Sequence, residues 1–119
     1  MQNNITSKEL GSRFARIRSG NGYSQEQVAK FLGYKDWQIY DFEKGVGRLN
    51  DGELQKACDL FGITIEKLCA DEKNAYMLGV NASTTDFRYY ISYFGKEELD
   101  MIAHLNKRAR EIREKNRLF

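Results

Sequence analysis

The sequence is poor in side chains that carry out chemistry. Its 119 residues include one histidine, His104, and two cysteines, Cys58 and Cys69. The cysteines fall at neither metal-type nor redox-type spacing, and we interpret both as small apolar residues. His104 lies in a strongly charged segment with no second histidine or cysteine nearby, so we expect no metal site. Walker, GxGxxG and GxSxG patterns are also absent, and we expect neither an enzyme nor a bound cofactor.

Long apolar runs are missing as well. No stretch approaches the roughly 18 apolar residues that a membrane span requires, and the N-terminus, MQNNITSKEL, lacks the apolar region of a signal peptide. We therefore expect a cytoplasmic protein that does not associate with membranes. Charged residues make up 30% and hydrophobic residues 41%, which is typical of a globular chain. The net charge of +2 does not by itself indicate a nucleic-acid partner.

The stretch from Ser24 to Glu43, SQEQVAKFLGYKDWQIYDFE, organises the rest of the chain. Ser24 and Gln27 form an S-x-x-Q capping box, and Gly33 is placed to end that helix. In the next helix, expected over residues 36–44, one face is apolar and the opposite face is polar and aromatic. This is the layout of a helix-turn-helix, in which the first helix crosses the DNA backbone and the second enters the major groove.

Further helical patterns flank this unit. Leu10, Phe14 and Ile17 share one face of a helix that begins near Ser7. A fourth helix is expected between an Asn50 cap and Gly62, and a short fifth helix follows Thr64. The sequence thus predicts a compact all-α domain of five helices over residues 1–68.

The C-terminal part has a different composition. Residues 69–86 are charged, small or turn-prone and are predicted to form a linker. The aromatic stretch FRYYISYF suits a strand or a buried helix, and we favour a helix because a single strand would have nothing to pair with. From Lys96 a long helix is expected, with acidic residues near its start and basic residues near its end, which suits the helix dipole. Residues 87–119 are therefore treated as a C-terminal helical segment.

Four segments resemble one known family. LGSRFARIR, GYSQEQVAKFLGY, IYDFEKG and LQKACDLFGITIEKL are similar to the XRE, or Cro-type, helix-turn-helix regulators of phages and bacteria, over residues 8–68. The resemblance implies a lambda-repressor-like domain that binds DNA as a dimer on pseudo-palindromic operators. It also implies a structural ion pair between Arg18 and Glu43. Phosphate contacts are implied for Ser24, Gln25, Gln38, Lys44, Gly45 and Arg48.

The resemblance places base contacts on the outward face of the second helix of the motif. These positions are Lys35, Asp36, Trp37, Tyr40 and Asp41. The family commonly has Ser, Thr, Gln, Asn or Arg here, residues that donate to purine edges. Two carboxylates instead face a polyanion, which weakens the expected affinity. Exposed aromatic side chains also mark protein interfaces, so a protein contact at this face is the alternative.

The tail has a resemblance of its own. DFRYYISYFGKEELDMIAHLNK is similar to the C-terminal segment of mobile-element repressors that are paired with a zinc peptidase of the ImmA/IrrE type. The resemblance implies that the tail mediates dimerisation and that this metallopeptidase is a further partner. The alternative is a helical hairpin packed on its own domain. The implied dimerisation residues are Phe87, Tyr90, Ile91, Phe94, Leu99, Ile102 and Leu105.

Two functions follow from these patterns. The first is a dimeric, sequence-specific transcriptional repressor of a phage or mobile element, with the helix over residues 36–44 in the major groove of a double-stranded operator. The second is an antitoxin or adaptor whose helix-turn-helix surface or C-terminal helices bind a protein partner. The exposed face over residues 36–44 decides between them.

Overall fold

The computed structural model describes residues 5–70 and 90–116, and these residues form six helices and no strand. The prediction of an all-α domain followed by a C-terminal helix is confirmed. Phe87 and residues 71–86 of the expected linker lie outside the described residues. The linker was expected from residue 69, yet Cys69 ends a helix and is buried. The helices are α1 Ser7–Gly20, α2 Gln25–Leu32, α3 Asp36–Glu43, α4 Asp51–Phe61, α5 Ile65–Cys69 and α6 Lys96–Asn116.

Short-range signals in the sequence set the helix ends. The Ser24 hydroxyl accepts from the Gln27 N–H at 3.0 Å, and the Gln27 side chain accepts from the Ser24 N–H at 2.9 Å. This reciprocal pair satisfies two N–H groups that the helix itself leaves without partners. Gly33 ends α2 with a φ of 80°, a left-handed conformation that strongly favours glycine. The left-handed conformation of Gly33 ends α2 and begins the tight turn between α2 and α3.

All six helices contribute to the core, and α1, α3 and α4 meet at Phe14. Phe14 is fully buried, and its ring makes edge contacts with Phe42 at 5.0 Å and with Phe61 at 5.3 Å between centroids. Such aromatic pairs add to the free energy gained by burying their surface. Cys58 is buried in the same core, and burial raises the pKa of its thiol to about 12. Because the thiol stays protonated at neutral pH, it behaves as a small apolar group.

Helix α6 packs on its own domain, chiefly on α4. Leu99 is 1% exposed, and Ala103 and Ile91 are also buried in the core. The Asn106 amide donates to the backbone oxygens of Asp59 and Leu60 at 2.9 and 3.1 Å, which satisfies carbonyls near the end of α4. These contacts agree with the alternative expectation, in which the C-terminal helices pack on their own domain.

One ion pair reinforces this docking. The Arg110 guanidinium lies 3.0 Å from Asp59 Oδ1, and the Gln55 amide donates to the same oxygen at 3.0 Å. Asp59 is buried, and burying a charged group is costly unless it is paired and hydrogen-bonded. The C-terminal helix is therefore held by polar contacts as well as by apolar packing.

Helices α1 and α3 also approach closely through their backbones, at Gly11. A Cβ placed on Gly11 would lie 2.2 Å from the backbone oxygen of Phe42 and 2.7 Å from that of Glu43. No side chain fits at these distances, so the end of α3 rests directly on α1. Glycine in the interior of a helix normally costs about 1 kcal/mol relative to alanine. At Gly11 the absence of a side chain allows α1 and α3 to approach closely, and this approach sets the position of α3.

This contact gives a test with a matched control. Gly11→Ala is expected to lower the free energy of unfolding by about 2 kcal/mol, because the overpacking outweighs the gain in helix propensity. Gly52→Ala should raise it by about 0.5 kcal/mol, since its nearest heavy atom, Asn50 Oδ1, would lie at 3.5 Å. Urea denaturation of both variants measures the two changes. Stabilisation by both substitutions would contradict the proposed backbone contact.

Candidate nucleic-acid interface

The two faces of α3 differ in solvent exposure: one is buried in the core and the other is open to solvent. Ile39 and Phe42 are 0% and 5% exposed, whereas Trp37 and Tyr40 are 61% and 48% exposed. Lys35 and Asp36 are exposed near the start of the helix, and Asp41 is half-buried. The backbone oxygen of Asp41 accepts from the N–H groups of Val46 and Gly47 at 3.0 and 3.2 Å. Four of the five candidate base-contacting residues thus share one exposed surface, and Asp41 lies at its edge.

The Glu43 carboxylate joins three helices at the end of α3. Arg18 of α1 lies 2.6 Å from Glu43 Oε2 through Nε and 3.1 Å from Oε1 through Nη2, a two-pronged ion pair. The Gln25 amide, in the first turn of α2, donates to Glu43 Oε1 at 2.8 Å. The Arg18 side chain also donates to the Tyr23 carbonyl at 2.6 Å. These bonds fix the end of α3 relative to α1 and to the start of α2.

The Gln25 contact is one that sequence reasoning missed. The residue was expected at a phosphate, and in the structure its amide is held by the carboxylate of Glu43. One amide group carries two donor hydrogens, so a bond to Glu43 leaves a second hydrogen for another acceptor. Gln25 and Glu43 are far apart in sequence, and no local pattern signals such a pair. A phosphate contact by Gln25 stays a prediction.

The other candidate phosphate contacts occupy varied positions. Ser24 caps α2, and the Gln38 side chain accepts from the Lys35 N–H at 2.8 Å at the start of α3. The ammonium group of Lys44 lies 3.3 Å from the Tyr40 hydroxyl. Gly45 has a φ of 86°, and its backbone packs so closely on Lys8 that a Cβ would lie 2.7 Å from the Lys8 Cα. Arg48 is exposed on the loop that follows.

Charges on this part of the chain are balanced. Between residues 24 and 48 there are four basic and four acidic side chains, and the Glu43 charge is paired with Arg18. Attraction of a polyanion must therefore come from a few placed cations rather than from a basic field. The basic residues are Lys30, Lys35, Lys44 and Arg48, and the acidic residues are Glu26, Asp36, Asp41 and Glu43.

The start of α2 also contacts the C-terminal part of the chain. The Gln27 amide donates to the backbone oxygens of Ile91 and Phe94 at 2.7 and 3.0 Å, while its oxygen caps α2. This contact was not predicted, because the S-x-x-Q pattern indicates only the cap.

Across the part of the chain that the structure describes, no group of His, Cys, Asp or Glu side chains is placed to hold a metal ion.

Comparison with known proteins supports this reading of the geometry. Residues 14–68 match a family model described as helix-turn-helix, a range that contains α2, α3 and the ion pair. This part of the chain is therefore similar to helix-turn-helix domains of the XRE type. The match supports a DNA-binding transcription regulator. No curated protein and no solved structure gives a significant match. Within residues 5–70 and 90–116, no helix has the length and apolar character needed to span a membrane.

The Glu43 contacts give a second test. Glu43→Gln keeps the shape of the side chain but leaves the half-buried Arg18 without a counter-charge, so we expect it to lower the free energy of unfolding by about 3 kcal/mol. Glu26→Gln is the matched control, since its ion pair with Lys30, at 3.6 Å, is well exposed. That pair is expected to contribute less than about 0.5 kcal/mol. Urea denaturation distinguishes the two; equal losses would show that the Glu43 network has no special role.

Proposed function

We propose that the protein is a dimeric repressor that inserts α3 into the major groove of a pseudo-palindromic operator, as a regulator carried by a phage or mobile element. The observation that carries this proposal is the two-sided α3, whose inner face is buried and whose orientation is held by Arg18 and Gln25 through Glu43. A dimer would place two copies of α3 in grooves about 34 Å apart.

Base reading would rest on the exposed side chains of α3. The rings of Trp37 and Tyr40 suit apolar contact with thymine methyl groups, and Asp36 suits the cytosine amino group as an acceptor. Lys35 suits a guanine edge. Each of these contacts carries sequence information, whereas the contacts to phosphate fix only the position of the protein.

Phosphate binding would rest on both flanks of α3. Gln25 and the N–H groups at the start of α2 suit one phosphate, because a helix N-terminus favours an anion. Lys44, the Gly45 backbone and Arg48 suit the other flank. With few cations at the surface, we expect affinity to be moderate and its salt dependence shallow.

Substitutions of Arg48 and Trp37 distinguish phosphate contacts from base contacts. Arg48→Ala is expected to weaken binding to all sequences alike and to reduce the slope of log affinity against log salt by about one, because one phosphate contact is lost. Trp37→Ala should instead change the preferred sequence. Selection from a random DNA pool followed by titration at several salt concentrations measures both.

Lys67→Ala removes an exposed cation of α5, outside the proposed interface, and serves as the control for Arg48. Equal effects of the two substitutions would refute the proposed phosphate contact. If the wild-type protein selected no DNA at low salt, the repressor proposal itself would fail.

A second copy of the chain is the proposed partner of the outer face of α6. Met101, Leu105 and Ile112 are 63%, 59% and 47% exposed and fall at helical spacing on the side opposite Leu99. Tyr90 and Tyr93 are also exposed near the start of this helix. An apolar stripe of this kind can meet itself across a two-fold axis.

Several of the residues expected at this contact pack on their own domain instead. Ile91 and Leu99 are buried in their own domain, and Phe94 and Ile102 are partly buried against the same core. They are therefore not available to a partner while α6 stays docked. Tyr90 and Leu105 remain exposed, and they are joined by Met101 and Ile112. The metallopeptidase of the ImmA/IrrE type, implied by the tail, remains a proposed further partner.

Dimerisation can be tested by placing a charge on the stripe. Leu105→Lys is expected to convert the dimer to a monomer, because a desolvated ammonium group would have no partner at the contact. His104→Lys makes a similar change in charge on a neighbouring, exposed position outside the stripe and should leave the dimer intact. Sedimentation equilibrium measures both. A dimer that survives Leu105→Lys would place the contact elsewhere.

The second candidate is an antitoxin or adaptor. The exposed Trp37 and Tyr40, together with the balanced charge around them, favour it, since aromatic side chains are enriched in protein interfaces. A protein partner that co-purifies at fixed stoichiometry and survives nuclease and high salt would support this function. Binding dominated by phosphates would not survive such salt.

A further inference from the structure

The Gln27 side chain connects the DNA-facing end of α2 to the C-terminal part of the chain. Its Oε1 accepts from the Ser24 N–H at 2.9 Å, and its Nε2 donates to the carbonyls of Ile91 and Phe94 at 2.7 and 3.0 Å. Both donor hydrogens and one acceptor position of the amide are therefore engaged. The reverse orientation of this amide would place its oxygen against two carbonyls, so the bonding pattern defines a single orientation.

The segment that Gln27 holds is the one that leads into α6. Ile91 is 6% exposed, and Phe94 packs against the same core. The Phe94 N–H bonds to the Ile91 carbonyl at 2.9 Å, and the Gly95 N–H bonds to the Glu98 side chain at 2.8 Å at the start of α6. The turn over residues 91–95 thus brings the carbonyls of Ile91 and Phe94 to the first turn of α2. We call residues 91–95 the docking turn.

The other neighbours of Gln27 belong to the proposed DNA contact. The Ser24 hydroxyl accepts from the Gln27 N–H, and Gln25, one residue further along, is held by Glu43. Among the hydrogen bonds of the described residues, the N–H groups of Gln25 and Glu26 have no acceptor. The same turn of helix therefore presents free donors on one side and holds the docking turn on the other.

We propose that Gln27 is a positioning residue that couples docking of the C-terminal segment to DNA affinity. With the docking turn in place, its two carbonyls fix the Gln27 amide, which in turn keeps the start of α2 capped and ordered. When the turn leaves, Nε2 loses both acceptors and the amide is free to rotate away from the Ser24 N–H. DNA binding then requires that the first turn of α2 be ordered again, which lowers the affinity.

Coupling of this kind acts in both directions. If docking of the turn raises the affinity for DNA by some factor, bound DNA must stabilise docking by the same factor. A side chain with a purely structural role would not produce this second effect, because its contribution to stability would be the same with and without DNA. The inference rests on the proposed DNA contact at the start of α2.

A charge-matched exchange of two neighbours isolates the contact. In the double variant Glu26→Gln with Gln27→Glu, the carboxylate at position 27 still caps α2, since glutamate serves as well as glutamine there. It has no hydrogens to donate, and it faces the carbonyls of Ile91 and Phe94. The net charge of the first turn is unchanged. As the control, Glu26→Gln alone removes one negative charge and an exposed pair with Lys30, and it measures the effect of the change at position 26 by itself.

Two readouts are needed. Amide hydrogen exchange of residues 94–103 in the free protein, followed by NMR, measures docking directly. Affinity for a mixed-sequence DNA duplex at low salt, compared between the double variant and the wild type, measures the coupling. We expect the double variant to exchange these amides about tenfold faster and to bind DNA about tenfold more weakly than either the wild type or the control. Addition of the duplex should slow the exchange in the wild type and have little effect in the double variant.

The outcomes that would overturn the proposal are distinct. Unchanged exchange in the double variant would show that Gln27 does not hold the docking turn. Faster exchange with DNA affinity within about twofold of the wild type would show that docking and DNA binding are independent. Binding of the wild-type protein to the duplex tests the proposed function separately, because it does not depend on the comparison between variants.

Discussion

The position of α3 depends on one carboxylate. Glu43 is 6% exposed and receives Arg18 from α1 and Gln25 from α2, so three helices converge on a single charged group. A buried carboxylate is costly unless its lone pairs are satisfied, and here the guanidinium supplies both charge and direction. The backbone contact at Gly11 acts at the same end of α3. The bonds to Glu43 and the close backbone contact at Gly11 therefore fix the position of α3 relative to α1.

Most of the fold could be predicted from the sequence because its signals are local. Capping by Ser24 and Asn50, and the left-handed Gly33 and Gly62, each depend on a few neighbouring residues and were readable without a structure. The inward residues Ile39 and Phe42 follow from helical spacing alone. The Arg18–Glu43 pair was expected only from family resemblance, since periodicity does not indicate which charged residues meet.

The rest could not be predicted because it depends on packing between distant segments. Nothing near Gln27 indicates that its amide reaches Ile91, and nothing near Asp59 indicates Arg110. For the C-terminal helix, the sequence did not show which apolar residues pack on the domain, as Leu99 does, and which stay exposed, as Leu105 does. Helical periodicity shows that a face is apolar, but the structure is needed to show which residues it covers.

The exposed position of Trp37 has a spectroscopic consequence. It is the only tryptophan of the 119 residues, and it is 61% exposed on the outer face of α3, near the start of that helix. The indole emission of the whole protein therefore originates at this face, and its wavelength follows the polarity around a single ring. Any occupant of α3, whether a stacked base or a protein side chain, can be followed by unlabelled fluorescence of the native chain.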